Sequence, residues 1–252
     1  MFAPAIDAPL DPFRHHPELR GLVTPSEQSF FRDFEPVEME AKLAARGVPA
    51  GWCHSEADRE ACRKHTLASW PKGDMWVFAY GSLMWDPAIA FTDVRRARIE
   101  GYARRFCLLD TLGVRGTAEV PGLMAGLDVG VECHGLVFCI AEADREAETD
   151  RLWRRERIAP GYHATMVAAE TDFGTVQALA FVADRSAASI VPDLPREDQI
   201  RYIATGKGII GTSLAYIETL ARQFDAIGIA DPDLASLLDA ARRYHAEQAQ
   251  QA

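Results

Sequence analysis

The sequence has 252 residues, of which 48% are hydrophobic, and it carries a net charge of -10. A hydrophobic fraction of this size supplies a sizeable core and excludes a disordered chain, and the negative charge disfavours binding to the phosphate backbone of nucleic acids. The longest apolar runs have the length of a strand and are far too short to span a bilayer. We therefore expect a folded protein whose partner is neither a nucleic acid nor a membrane.

The five cysteines are odd in number and form no CxxC pair, so they predict neither a disulfide framework nor a zinc site. The N-terminal run MFAPAIDAPLDPF carries prolines and acids where a signal peptide needs a basic start and an apolar stretch. Free cysteines are typical of a reducing compartment. The expected location is the cytoplasm.

The first third of the chain is predicted to be irregular and then helical. Residues 1–36 contain six prolines, which favours an extended, loosely packed lead-in. The run VEMEAKLAARG predicts a helix with Gly47 as a plausible C-cap. A second helix is predicted to begin at Ser55, which forms a capping-box-like pattern with Asp58, and to end near Ser69.

From Asp74 onwards, the sequence changes to short apolar runs that are typical of strands. The first run, MWVFAY, ends in Gly81-Ser82, as expected for a buried strand that enters a tight turn. Further strands are predicted at residues 94–100, 102–109, 123–128, 133–140, 162–170 and 175–183, and helices at 141–157, 196–205, 213–227 and 234–248. This order predicts an α+β domain over residues 74–252, a mostly antiparallel sheet or small barrel wrapped by helices, with an N-terminal extension over residues 1–73.

The run Tyr80-Gly81-Ser82-Leu83 is the first candidate for a ligand site. Glycine lets a ligand approach the backbone, and neighbouring N–H groups form a nest for a carboxylate or a developing oxyanion. A strand-ending turn without a ligand is the plain alternative. A nucleophilic Ser82 is a weaker hypothesis, because the G-x-S-x-G context and a suitably placed histidine are missing.

Glu156 is the second candidate, because it lies near the end of a charged helix. The negative end of the helix dipole raises the pKa of a glutamate there, and Trp153 would raise it further by partial desolvation. Arg155 and Arg157 would lower the pKa if they point at the carboxylate. A solvated surface glutamate is the alternative to a functional one.

Several motifs together carry a resemblance to a known family. The run WVFAYGSLMWDP at residues 76–87 resembles the opening motif of the ChaC-type γ-glutamylcyclotransferases. The motifs GYARRFC, RGT, PGLMAGLD, CHGLVF and LWRRERIAPGY agree with that family in order and spacing. The similarity covers roughly residues 75–227 and resembles the bacterial branch of the family.

The resemblance implies a γ-glutamyl cyclotransferase-like small mixed barrel with flanking helices, and a lyase that cleaves glutathione to 5-oxoproline and cysteinylglycine. Glu156, in R-E-x(4)-G-Y, matches the catalytic glutamate. The substrate-binding loop matches Val77, Phe78, Ala79, Tyr80, Gly81, Ser82 and Leu83. The reaction requires neither a metal nor a cofactor, because a single carboxylate can move the proton.

Two further residues are candidates for substrate contacts. Tyr162 could orient the substrate through its hydroxyl, although buried structural tyrosines are commoner. Arg115 could pair with the glycine carboxylate of glutathione, with a structural salt bridge as the alternative. Ala79 and Val114 depart from the family pattern and leave the exact substrate open. Another γ-glutamyl amine or dipeptide, or a non-catalytic regulatory or binding module on the same fold, are the alternative functions.

Overall fold

The computed structural model describes residues 10–251, and its centre is a closed barrel of five strands. The strands are β1 (Met75–Ala79), β2 (Asp93–Leu112), β3 (Thr117–Ile140), β4 (Tyr162–Thr171) and β5 (Gly174–Ala183). Their order around the barrel is β1-β3-β2-β4-β5. The barrel closes where β1 and β5 pair in parallel, and all other neighbouring strands pair antiparallel. The predicted α+β barrel is confirmed.

Within residues 10–251, six α-helices and one small hairpin surround the barrel. The helices are α1 (Pro36–Ala44), α2 (Glu56–Ala68), α3 (Arg145–Glu156), α4 (Arg196–Thr205), α5 (Ser213–Ala226) and α6 (Pro232–Gln251). The hairpin consists of β6 (Lys207–Gly208) and β7 (Gly211–Thr212), which the sequence analysis did not predict. Across residues 10–251, none of the helices has the combination of length and apolar character that a membrane span needs.

Strands β2 and β3 form one long ladder where four shorter strands were predicted. Gly101 has a φ of +82°, and the register of the ladder shifts between Glu100 and Tyr102. A glycine with positive φ is typical of a β-bulge, which bends a strand without ending it. The predicted break at this glycine was therefore wrong, because pairing continues on both sides of the bulge.

Helix α3 packs on the barrel through two apolar side chains near its C-terminal end. Leu152 and Trp153 are buried in the same core cluster as Phe181 of β5. The rings of Trp153 and Phe181 meet edge to face with their centroids 5.3 Å apart. This contact fixes the last turn of α3 against the barrel wall, which determines where Glu156 lies.

Residues 10–73, called the N-terminal segment below, pack against the barrel and its helices. Leu19 is fully buried, Thr24 N–H donates to the Trp85 carbonyl over 2.7 Å, and the Gln223 amide donates to the Leu22 carbonyl over 2.7 Å. The prediction of a loosely packed lead-in was wrong for residues 10–36, because this stretch folds into compact turns. Pro17 opens one 3₁₀ turn, Pro25 precedes a second, and Pro36 opens α1, all positions that suit the fixed φ of proline. Residues 1–9 lie outside the described part of the chain.

Side-chain caps begin two of the helices, and the cap at Ser55 confirms a prediction from the sequence. The Ser55 hydroxyl accepts a hydrogen bond from the Asp58 N–H at the start of α2. Thr212 caps α5 through the Ala215 N–H over 3.0 Å. These bonds satisfy amide groups that the first turn of a helix leaves without partners.

Gly135 of β3 gives a first testable prediction. A Cβ at this position would lie 2.2 Å from the Ala79 carbonyl oxygen at the end of β1. Because backbone cannot move aside cheaply, we expect Gly135→Ala to lower the free energy of unfolding by about 1–3 kcal/mol in a denaturant titration. Gly161→Ala is the matched control, since its Cβ would meet its nearest neighbour at 3.5 Å. Equal stability of the two variants would contradict the assignment of a backbone clash.

Candidate active site

A cavity of about 530 Å³ opens beside the loop that follows β1 and the end of α3. The candidates Tyr80, Gly81, Ser82, Leu83, Arg115, Glu156 and Tyr162 all line it. Val77, Phe78 and Ala79 do not line it; they lie in β1, where their side chains are buried in the barrel. The structure thus brings together seven of the ten candidates, from four separate parts of the chain.

The loop after β1 is a tight bend that approaches a tyrosine closely. Ser82–Met84 form a 3₁₀ turn in which Met84 N–H donates to the Gly81 carbonyl over 2.9 Å. A Cβ on Gly81 would lie 2.7 Å from the Tyr216 hydroxyl. Glycine is therefore required here for space.

Arg155 connects the bend to Glu156. Its Nε lies 3.0 Å from Glu156 Oε1, and its Nη2 donates to the Ser82 hydroxyl over 2.8 Å. Its Nη1 donates to the Asp86 carbonyl, and its guanidinium lies 4.2 Å from the centre of the Phe31 ring. The guanidinium therefore holds the acid, the bend and the N-terminal segment in one arrangement.

Ser82 has a hydrogen-bond partner that cannot act as a base, because the Arg155 guanidinium carries a permanent positive charge. Among the described residues that line the cavity, none is a histidine. This environment gives no support to the hypothesis that Ser82 is a nucleophile.

The Glu156 carboxyl is largely shielded from solvent, with 13% of its side chain exposed. Burial raises the pKa of Glu156, and the charge of Arg155 lowers it in part. Of the two neighbouring arginines, only Arg155 faces the carboxylate, because Arg157 donates to the Tyr162 carbonyl. Trp153 does not line this cavity and packs on Phe181.

Three tyrosines line the cavity with Glu156. Burial raises the pKa of Tyr80 and of Tyr162 well above the usual range, and raises that of Tyr216 to about 12. The negative charge of Glu156 adds to the rise at each of the three. The Tyr80 hydroxyl donates to the Phe181 carbonyl over 2.8 Å. All three hydroxyls therefore remain protonated, and the single hydrogen of Tyr80 is already engaged by Phe181.

Arg115 lines the cavity without a salt bridge to any carboxylate of residues 10–250. Its Nη1 donates to the Thr212 carbonyl over 3.1 Å, and its guanidinium lies 5.2 Å from the centre of the Tyr216 ring. Burial lowers the pKa of Arg115. A partly buried guanidinium that has no carboxylate partner among these residues is a favourable site for a carboxylate on a ligand.

Asp110 shapes the loop that presents Arg115. Its carboxylate accepts hydrogen bonds from the backbone N–H groups of Leu112, Arg115 and Gly116. Burial raises the pKa of Asp110, and these backbone bonds oppose the rise. Asp110 thus acts on the β2–β3 turn, in which Arg115 lies.

Three contributors to this site were not predicted from the sequence. Tyr216 appears in the sequence only as one apolar position of an amphipathic helix, and Asp110 as the residue that follows a predicted strand. Arg155 was considered only for its effect on the Glu156 pKa. Its adjacency to Glu156 was a usable signal, but its bond to Ser82 joins residues 73 positions apart.

The fold defines the class of protein. A crystal structure of a glutathione-specific γ-glutamyl cyclotransferase from yeast matches 69% of this chain and 97% of that chain, with a TM-score of 0.61 and 21% sequence identity. The barrel and its flanking helices therefore have the γ-glutamyl cyclotransferase fold.

The sequence then gives the family. A family model described as ChaC-like protein matches residues 75–244, so the chain belongs to the ChaC-like family. A glutathione-specific γ-glutamylcyclotransferase of Escherichia coli is 34% identical over 218 residues, which are 86% of this chain and 94% of that protein. A rat protein, glutathione-specific γ-glutamylcyclotransferase 1, is 31% identical over 68% of this chain and 82% of its own length.

The E. coli match also bears on the N-terminal segment. Its share of this chain is larger than the part that follows residue 74, so the alignment extends into the segment. The segment is therefore at least partly shared with that relative.

The close approach of Gly81 to Tyr216 gives a prediction for a double-mutant cycle. We expect Gly81→Ala to lower the free energy of unfolding by about 1–3 kcal/mol, because the new methyl group meets the Tyr216 hydroxyl. In a Tyr216→Phe background that clash is gone, and the next neighbours lie 4.0 Å away. The same substitution should then cost little, which gives a coupling energy of about 0.5–3 kcal/mol in urea titrations. Additive effects would contradict the contact.

The pairing of Arg155 with Glu156 gives a prediction about protonation. We expect Arg155→Met to raise the pKa of Glu156 further, because the substitution removes the one cation that lowers it. The measurement is a titration of ¹³C-labelled glutamate by NMR, with the resonance assigned from its loss in Glu156→Gln. Arg157→Met is the matched control, since that guanidinium faces the Tyr162 carbonyl. An unchanged or lower pKa in Arg155→Met would refute the electrostatic role of Arg155.

Proposed function

We propose that the protein is a glutathione-specific γ-glutamylcyclotransferase that converts glutathione to 5-oxoproline and cysteinylglycine, with Glu156 as the catalytic residue. The observation that carries the proposal is a shielded carboxyl with a raised pKa, in one cavity with the Gly81-Ser82 bend. Two further findings support the proposal: the chain belongs to the ChaC-like family, and its E. coli and rat relatives are named as glutathione-specific γ-glutamylcyclotransferases.

The reaction is intramolecular. The α-amine of the γ-glutamyl group attacks its own side-chain carbonyl, a carbon–nitrogen bond of the five-membered lactam forms, and the amide bond to cysteine breaks. Binding the substrate in a folded conformation supplies much of the acceleration, since well-oriented intramolecular reactions reach effective molarities of roughly 10⁵–10⁸ M. No redox step or transferred group from a cofactor is involved.

The α-nitrogen loses two protons between the ammonium and the lactam, and the departing cysteine nitrogen gains one. Glu156 in its ionised form accepts one of the two and then, as the neutral acid, donates it to the leaving nitrogen, while the other is released to solvent. Raising the pKa of a carboxyl by burial brings it nearer to the working pH, which favours both steps. The neutral hydroxyls of Tyr162 and Tyr216 can donate hydrogen bonds to the substrate without taking up this proton.

The Gly81-Ser82 bend can serve either of two roles in this reaction. Its N–H groups can stabilise the oxyanion that develops on the γ-carbonyl, or they can hold the α-carboxylate. The Ser82 hydroxyl accepts a bond from Arg155 and keeps its own hydrogen for the substrate. Both roles place the reacting carbon beside Glu156.

We assign Arg115 to the glycine carboxylate of glutathione, at the far end of the substrate. Its guanidinium faces the cavity and pairs with no carboxylate of residues 10–250, as this role requires. We further place the enzyme in the cytoplasm, where a reducing environment would maintain its five free cysteines.

The decisive test is to incubate the purified protein with glutathione and to measure 5-oxoproline by mass spectrometry. We expect Glu156→Gln to lower kcat by at least ~10²-fold, because it removes the group that moves the proton. Glu247→Gln, on the exposed end of α6, is the matched control and should retain full activity. Near-wild-type turnover by Glu156→Gln, with its fold intact, would remove Glu156 from its role. Faster turnover of γ-Glu-Ala than of glutathione would instead favour a cyclotransferase for other γ-glutamyl substrates.

The role of Arg115 can be separated from general binding with a second substrate. We expect Arg115→Gln to raise the KM for glutathione by about tenfold, in line with the loss of a hydrogen bond between charged groups. Glutathione ethyl ester, in which the glycine carboxylate is blocked, should show no such change between the wild type and the variant. An equal loss with both substrates would mean that Arg115 acts elsewhere, at the α-carboxylate or on the loop.

A further inference from the structure

The cavity has two walls of different chemistry. The wall from the barrel side carries the polar groups, among them Ser82, Arg115 and Glu156. The other wall comes from the N-terminal segment and consists of Phe31, Phe34, Met39, Gly51 and Trp52. Three of these five residues are aromatic and none is charged, so this second wall is apolar.

The apolar wall is a built part of the structure. Phe34 and Met39 belong to a buried cluster against which Ile158 and Ile210 pack. His54 N–H also donates to the Ile158 carbonyl over 2.8 Å, two residues beyond Glu156. The wall therefore has a fixed position relative to the candidate acid.

Three contacts join this wall to the helix that carries Glu156. Arg32 pairs with the buried Glu148 over 2.6 Å, and Glu35 pairs with Arg154 over 2.5 Å. The ring of Phe31 covers the Arg155 guanidinium. Since these contacts lie along α3, they set the distance between the aromatic side chains and the carboxyl group.

The charged groups of the proposed substrate match the polar wall, and its cysteine side chain matches the apolar wall. The γ-glutamyl half carries an ammonium and a carboxylate, and its carbonyl must lie at Glu156. The leaving half begins at that carbonyl, and its side chain is the least polar group of the molecule. A cysteine side chain packs favourably on aromatic rings, because sulfur is polarisable and attracted to them.

We propose that Phe31, Phe34 and Trp52 form a subsite for the side chain next to the bond that is cleaved, and that this subsite selects a sulfur-bearing side chain. The N-terminal segment is then the part of the protein that determines which γ-glutamyl peptide is cleaved. This inference rests on the cyclotransferase function proposed above.

The test compares glutathione with γ-Glu-Ala-Gly, which differs from it only by the sulfur atom. For the wild type and for Phe31→Ala and Trp52→Ala, kcat/KM is measured with both peptides. We expect each variant to lower the preference for glutathione, which is the ratio of the two kcat/KM values. In the variant that combines both substitutions, this ratio should fall by about tenfold, as for the loss of one group in an apolar pocket. Phe173→Ala is the matched control; this phenylalanine is 54% exposed on the turn between β4 and β5 and should leave the preference unchanged.

The ratio separates specificity from general damage. A variant that merely folds poorly, or that disturbs Arg155, loses activity toward both peptides equally. If an alanine variant has no measurable activity, the leucine variant at that position keeps most of the apolar volume and should lower the preference at least twofold, because the ring is gone. An unchanged preference in these variants would overturn the subsite and leave the cyclotransferase proposal intact. Failure of the wild type to form 5-oxoproline from either peptide would overturn both.

Discussion

The Arg155 guanidinium is the interaction on which the candidate site depends. Its three nitrogens reach the Glu156 carboxylate, the Asp86 carbonyl and the Ser82 hydroxyl, while its face is covered by Phe31. A planar guanidinium spreads its donors over three nitrogens, whereas the three N–H donors of a lysine share one nitrogen and cannot reach groups so far apart. The same cation opposes the effect of burial on the acid, so one side chain determines both the position of Glu156 and its affinity for a proton.

A site with so few functional groups suits the proposed reaction. A peptide that attacks its own carbonyl needs a cavity of the right shape and one group that exchanges a proton. Around Glu156, the raised pKa values keep the hydroxyls of Tyr80, Tyr162 and Tyr216 protonated. Among the carboxyls that line the described part of the cavity, Glu156 is the one we assign to proton transfer, because Asp110 is held by backbone N–H groups. The cation of Arg115 remains for the charge of the substrate.

Local patterns predicted much of the fold, and long-range contacts explain what they did not predict. The bounds of α4 and the caps Ser55 and Thr212 follow from neighbours in sequence, and the structure confirms them. The division of β2 at Gly101 was wrong because a bulge and a strand end share one local signal. Glu156 and Ser82 were found by resemblance to a family. The aromatic wall could not be predicted from the sequence, because no residue near Phe31 indicates that this side chain contacts a helix more than a hundred residues away.

The docking of the N-terminal segment also constrains the order in which the molecule is assembled. Its partners lie late in the chain, the most distant being Gln223, 201 positions after Leu22. Contacts of such long sequence separation form slowly, because the loop between them must close first. During synthesis the segment emerges before the barrel on which it packs, and it has to wait for most of the chain to be made. The pocket is thus expected to acquire its aromatic side last, and a nascent chain would have its acid in place before it could discriminate between peptides.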